Sequence, residues 1–412
     1  MDARRRCFVS VIRPSKSYPR GNADRAETGR AKPHMIGLMA AYCLAIHGSY
    51  GCRHAGACCT AGWDIPIEAD AARTVEVWFR GRSAERPFRA GGAPAGYAAV
   101  LSRRDDGGCV FFERRTGGSC GVHRELGEDR LPSACRHFPR VALTDRRGTF
   151  VTLSHYCPTA AELLFSNGAL TSVEAPPRLS LDGTVEGLNA TEALPPLLRP
   201  GILMDLEAYD AWEQAALGVL RTGRLHATDA LDAIAAATAR IERWVPGGTS
   251  LVDAVRGAFC EGEVRLKPDT TRTELWTLAR DAVPEGLPRP ERMAFRERQH
   301  REASCVLREY DAAARAYLAA RLFGNWMAYH GRGLPDIVAF LQVHHAVLQV
   351  EVARRLSDDA VVDRRALLLE SIRAADLLMV HLVDISRLAQ LMKTLPASSF
   401  RLPASGKLSA ES

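Results

Sequence analysis

The segment Cys52-Arg53-His54-Ala55-Gly56-Ala57-Cys58-Cys59 carries three thiols in eight residues. Cys109, Cys120, Cys135 and Cys157 follow it, and Cys43 lies just upstream. Eight of the eleven cysteines therefore fall within residues 35–165, and only Cys7, Cys260 and Cys305 lie elsewhere. One cysteine alone is most simply a small buried hydrophobe. Seven of them crowded together beside glycine and histidine read better as metal ligands. Thiolate is a soft donor that loses its proton on binding zinc or iron. Four such donors complete a zinc site or an iron–sulfur cluster. The spacing is neither the paired CxxC of a zinc ribbon nor the compact ferredoxin run, so the metal stays open between the two. In an extended chain Cys58 and Cys59 point opposite ways, so either one faces away or each serves a different centre.

Outward from this segment the chain divides by character. Gly91-Gly92, Gly107-Gly108 and Gly117-Gly118 break residues 35–165 into short elements. An extended Ile65-Pro66-Ile67 is predicted to lead into a helix reaching Phe79, with Glu68 and Asp70 favouring its first turn. Residues 149–156, TFVTLSHY, are predicted as a strand, and Pro158 opens a short helix. Residues 166–200 are turn-rich and read as a linker. From residue 201 the apolar period becomes helical: Leu203, Leu206, Tyr209, Trp212, Ala216 and Val219 form one stripe, and Leu231, Ile234, Ala235, Thr238, Ile241 and Trp244 a second. Residues 262–291 are a Pro- and Thr-rich interruption. Long helices are predicted over 292–326, 335–356 and 361–395, the last broken near Leu382, and 396–412 as a disordered tail. The expected fold is mainly α, of the α+β class. A small irregular cysteine-rich metal-binding domain at 35–165 would pack on a helical domain at 201–395.

Composition narrows the function. The chain has 412 residues, 47% hydrophobic and 25% charged, which is ordinary for a globular protein of two or three domains. Its net charge of +6 is held entirely by residues 1–34. That segment is either a disordered basic tail or an over-extended start, with Met35 as the true beginning. The folded part is charge-balanced and lacks the basic footprint of a nucleic-acid binder. No stretch is long and apolar enough to span a membrane. An odd cysteine count and a large core point to free thiols in the cytoplasm. P-loop, HExxH and GxSxG motifs are absent, and Gly91–Gly96 lacks the strand-to-helix context of a dinucleotide fold.

The surroundings of the thiols resemble the YkgJ-type cysteine-cluster family, described as zinc- or iron-chelating. The resemblance rests on Cys52 to Cys59, Cys109-Val110-Phe111-Phe112, Cys120-Gly121-Val122-His123 and Cys135-Arg136-His137-Phe138-Pro139. Ala55 stands where the family has a further cysteine, for which His54 or Cys43 could substitute. Four pieces are similar to the flagellin lysine-N-methylase branch: Cys58-Cys59-Thr60-Ala61-Gly62-Trp63, Leu126 to Pro132, Phe138-Pro139-Arg140 and Leu153-Ser154-His155-Tyr156-Cys157-Pro158. That resemblance implies an iron–sulfur cluster and methyl transfer from S-adenosylmethionine to protein lysines, as on flagellin.

Read physically, Trp63 and Phe138 are core residues or pack over the cluster. Arg136 and Arg140 either form surface ion pairs or hold an anionic cluster or a cosubstrate carboxylate. His123, His137 and His155 flank cluster cysteines as ligands or supporting donors. Glu125 or Glu128 is a candidate base for the lysine amine. His344-His345 reads as a satisfied, partly buried pair. Asp376, His381, Asp384 and Arg387 read as a solvated helix face, with a polar pocket towards the cysteine region as the alternative. The competing function is a non-enzymatic zinc or iron scaffold or metal-handling protein, and a third is a redox sensor.

Overall fold

The computed structural model describes residues 40–83, 85–89, 91–113, 118–179, 187–260, 297–356 and 363–382. The expectations for residues 1–34, 262–291 and 396–412, and for Asp384 and Arg387, lie outside the described residues. The fold is α+β, with helix predominating. Among the described residues no helix is long and apolar enough to cross a membrane.

A five-stranded sheet organises the chain. Its strand order is Gly187–Asn189, Arg140–Asp145, Gly148–Leu153, Ala41–Leu44, Ser172–Glu174. Arg140–Asp145 and Gly148–Leu153 form an antiparallel hairpin. Ala41–Leu44 runs parallel to Gly148–Leu153, with Cys43 opposite Val151. Ser172–Glu174 closes one edge antiparallel to Ala41–Leu44, and Gly187–Asn189 the other, parallel to Arg140–Asp145. The 166–200 region thus differs from the expected linker. It supplies both edge strands, because short runs such as Ser172-Val173-Glu174 can satisfy a sheet edge with backbone alone.

One face of the sheet joins the helices in a single apolar core. Leu44, Leu143 and Phe150 pack in it with Trp212, Tyr317, Phe323 and Leu341. Helix Leu206–Arg221 starts where Asp205 accepts a 2.6 Å hydrogen bond from Ala208 N. It buries Tyr209, Trp212, Ala216 and Val219 of the predicted stripe, whereas Leu203 lies before it in a two-residue strand and is exposed. Helix Ala227–Ile241 buries Leu231, Ile234, Thr238 and Ile241, and Thr238 Oγ1 accepts from the Trp212 indole at 3.0 Å. The helix expected over 292–326 is interrupted within its described part. Helices Glu297–Glu309 and Asp311–Leu322 meet at a non-helical Tyr310, and the chain breaks again at Gly324. Gly324 has φ +61°, and a Cβ there would come within 2.9 Å of Phe150 Cβ. The sheet approaches too closely for any other residue.

A buried ion cluster ties the hairpin to helix Leu206–Arg221. Arg147 lies between the rings of Phe150 and Tyr209, 4.3 and 4.6 Å from their centroids. Its guanidinium reaches Asp145 at 2.9 Å and Glu213 at 3.3 Å. Helix Leu334–Leu356 and helix Arg364–Asp376 complete the bundle, and a π-helical turn, Leu377–Leu382, follows the latter. His344 and His345 are both buried, bonded to the Tyr317 hydroxyl at 3.1 Å and Thr228 Oγ1 at 3.5 Å.

The cysteine region has its own smaller core. Helix Ala69–Phe79, entered from the extended Pro66–Ile67, packs Val75 and Phe79 on Phe111 and Leu131. Gly91, Gly92 and Gly96 belong to a loop between strands Phe88–Arg89 and Ala99–Leu101, as the missing helix signal led one to expect.

Candidate metal centre

Five separate pieces of chain bring their thiols to one cavity of about 470 Å³. Cys52, Cys58, Cys59, Cys120, Cys135 and Cys157 all line it. Cys58 and Cys59 sit on the short helix Ala57–Thr60, so successive residues are turned by about 100°. Both sulfurs therefore reach the same cavity, 4.0 Å apart, rather than opposite sides as in a strand. Gly56 makes this turn possible. It has φ +73°, and a Cβ there would lie 2.5 Å from the ring of Phe112. Cys120 ends strand Ser119–Cys120, where its partner is Phe112, and begins helix Gly121–Leu126. Gly127 stops that helix with φ +87°. Cys135 lies on helix Ser133–His137, and Cys157 immediately precedes helix Pro158–Leu163.

The thiols influence one another. Cys58 and Cys120 both hydrogen-bond to Cys59, and that contact holds the Cys58 thiol below its ordinary range. It brings Cys120 down to about 7, helped by backbone N–H groups of His123 and Val122. Cys59 is pushed up, first by its bond with Cys120, then by its bond with Cys58 and by burial. Burial raises Cys135 well above its usual range, and charge on the neighbouring Cys58, Cys109 or Cys120 sulfurs would raise it further. Ionisation is thus eased at Cys58 and Cys120 and opposed at Cys59 and Cys135. A divalent cation or cationic cluster core would remove that opposition. The donor set of closely spaced thiols fits zinc or an iron–sulfur cluster. Among the described residues no three His, Cys, Asp or Glu groups already converge on one point, so ligation requires side-chain rotation.

The remaining expected residues divide. Cys109 does not line the cavity. It is buried beside Val110 and Phe111, its thiol pushed up to about 12 by burial, and its N–H holds the Cys59 carbonyl at 2.8 Å. Cys43 is likewise enclosed in the sheet, packed with Tyr50, Leu153 and Cys157. Arg136, His137 and Arg140 line the cavity, and Arg140 donates to the Arg136 carbonyl at 2.9 Å. Phe138 lines it too, and Trp63 backs Phe138 at 5.6 Å between ring centroids. Glu128 is on the cavity wall, but Glu125 is not. Its carboxylate accepts from Trp78 Nε1 at 2.9 Å and pairs with Arg82 at 2.8 Å.

A buried polar network lies next to this cavity, of which the sequence offered only the Asp376 and His381 part, and that as the alternative to a solvated face. His47 and His155 face each other with 3.2 Å between their Nε2 atoms, and His155 Nδ1 lies 3.1 Å from Asp376 Oδ2. The same carboxylate accepts from the His155 backbone N–H. Arg321 sits 3.7 Å from Asp376 Oδ1 and donates to the Leu153 carbonyl at 2.5 Å. His381 reaches Ser154 Oγ at 2.6 Å and stacks on Trp63 at 4.6 Å. Asp376 and His381 therefore do not form the solvated face read from the sequence. The π-helical turn carries His381 inward, and Asp376 is fully buried. No local pattern could settle this, because His155 is 221 residues from Asp376 and 166 from Arg321. No family model matches the chain, and neither does any curated protein or solved structure.

Proposed function

We propose that this protein is a cytoplasmic iron–sulfur protein of the flagellin lysine-N-methylase kind, transferring a methyl group from S-adenosylmethionine to a protein lysine. The observation that carries the reading is the convergence of six thiols on one cavity, with Cys58 and Cys120 already biased towards thiolate. Cys58, Cys59, Cys120 and Cys135 would hold the cluster. Arg136 and Arg140 supply positive charge on the same wall, suited to an anionic cluster or a cosubstrate carboxylate. A cluster held there would supply redox chemistry beside the methyl donor. The lysine amine must lose its proton before it attacks, and Glu128 is the carboxylate placed to help. Glu125 is withdrawn from that role by its bonds to Trp78 and Arg82.

A thiol set without a recognised nucleotide or S-adenosylmethionine motif also suits a non-enzymatic zinc scaffold. One measurement separates the two readings: purification without oxygen, then analysis of iron, sulfide and zinc together with the visible spectrum. Iron and sulfide in similar amounts, with a broad band that bleaches under dithionite, support the cluster. Methyl transfer to a lysine peptide then completes the case. Stoichiometric zinc without colour supports the scaffold. A folded protein that binds neither metal overturns both.

A further inference from the structure

The rim of the cavity differs in chemistry from its thiol wall. His54 and His123 line it with ring centroids 4.4 Å apart. The His54 backbone N–H donates to Cys52 Sγ at 3.4 Å. His54 is the one non-glycine residue with positive φ, +56°, among those described, and this turn directs the loop at His123. Glu128 lies on the same rim, within electrostatic reach of both Cys52 and His123. One thiol, two imidazoles and one carboxylate line this part of the cavity, from residues 52–54 and 123–128, and like the inner thiols they would have to rotate to meet on one ion.

We propose that Cys52, His54, His123 and Glu128 form a second metal site at the cavity mouth, for a borderline divalent ion such as Zn²⁺. Imidazole and carboxylate suit such an ion, whereas a set of thiols alone selects softer centres. Cys52 is exposed, unlike buried Cys59 and Cys157, and so can turn outward. Neither imidazole is held by a side-chain hydrogen bond among the described residues, so parting the two rings, tilted at 57° to each other, to admit an ion breaks no such bond. The site would clasp the Cys52 loop to the helix of His123. It rests on the inner-centre reading in leaving Cys52 for the mouth, and it takes Glu128 from the proton-acceptor role proposed above.

The test is a Co²⁺ titration of the metal-free full-length protein without oxygen, followed by visible and near-ultraviolet absorption. Wild type should bind two equivalents, one with intense thiolate-to-cobalt charge transfer and one with weaker bands. H54A/H123A should lose the weaker equivalent alone, and E128Q or H123Q should weaken it at least tenfold. C58S/C120S should lose the intense one. A wild type that saturates at one equivalent overturns the mouth site. So does an H54A/H123A variant that keeps two, or one that loses both with unchanged far-ultraviolet circular dichroism. Intense bands that survive C58S/C120S would instead sink the inner-centre reading and leave the mouth site standing.

Discussion

Replacing Asp376 with Asn should be among the most damaging single changes in the chain. The substitution keeps the shape and an oxygen to accept from the His155 N–H, but removes the charge. Asp376 is fully buried and Arg321 is 7% exposed, so the guanidinium would be left enclosed and unbalanced. Breaking a buried pair in this way costs about 3–5 kcal/mol. The mirror change, R321M, leaves the carboxylate unbalanced and should cost a similar amount. The double variant D376N/R321M contains no enclosed charge. It should therefore fall short of the summed single effects by at least about 2 kcal/mol. Urea unfolding of all four proteins, followed by tryptophan fluorescence and circular dichroism, measures the cycle. A D376N cost below about 1 kcal/mol, or single effects that simply add, would show that the pair is hydrated and that the network is not a structural joint.

The pH dependence of stability has a definite sign. His47 and His155 are held below their ordinary range by burial first, and burial brings His344 down to about 3. Each is harder to protonate in the folded chain than in the unfolded one, so each removes stability as the pH falls below about 6.5, by at most about 1.4 kcal/mol per pH unit. Glu213, pushed up to about 7 by burial, works in the opposite sense between about pH 4.5 and 7. The loss of stability on lowering the pH from about 6 to about 5 should be steeper in E213Q than in wild type; chemical denaturation at fixed pH values reads it, and an unchanged or shallower slope in E213Q would refute the assignment. G56A should drive a methyl group against Phe112 and strain the backbone, costing about 1–3 kcal/mol and weakening metal retention after dialysis against a chelator. E125Q should leave metal content within twofold of wild type, while C120S should lose the inner metal.

The sequence made the local elements legible where chemistry is local. Ile65-Pro66-Ile67 before the helix to Phe79 and the helix opened by Pro158 stand where period and proline placed them, whereas the strand expected over 149–156 runs Gly148–Leu153. The cysteines that share the cavity were also legible as a group, because density of thiols survives ignorance of the fold. What stayed hidden depended on distant partners. Cys109 belongs to the wall's apolar backing because its backbone pairs with Cys59 and Arg103. Asp376 has the polarity of a surface residue and the surroundings of a core one. Residues 166–200 looked like a linker because edge strands three residues long leave almost no alternating pattern.

The register of the central sheet also bears on how this chain could have been assembled. Leu44 leaves the sheet, and Arg140 re-enters it, at the same end of strand Gly148–Leu153, one on each side of it. With neighbouring strands about 4.8 Å apart, the two points are separated by roughly 10 Å. Most of the thiol-bearing region therefore departs from and returns to nearly one place, as an insertion carried on a sheet-and-helix body. A short bridge could span that gap, so the body could be made without its cargo. His155, which follows the return, would stay behind with Asp376, while its partner His47, just past the point of departure, would leave with the insertion.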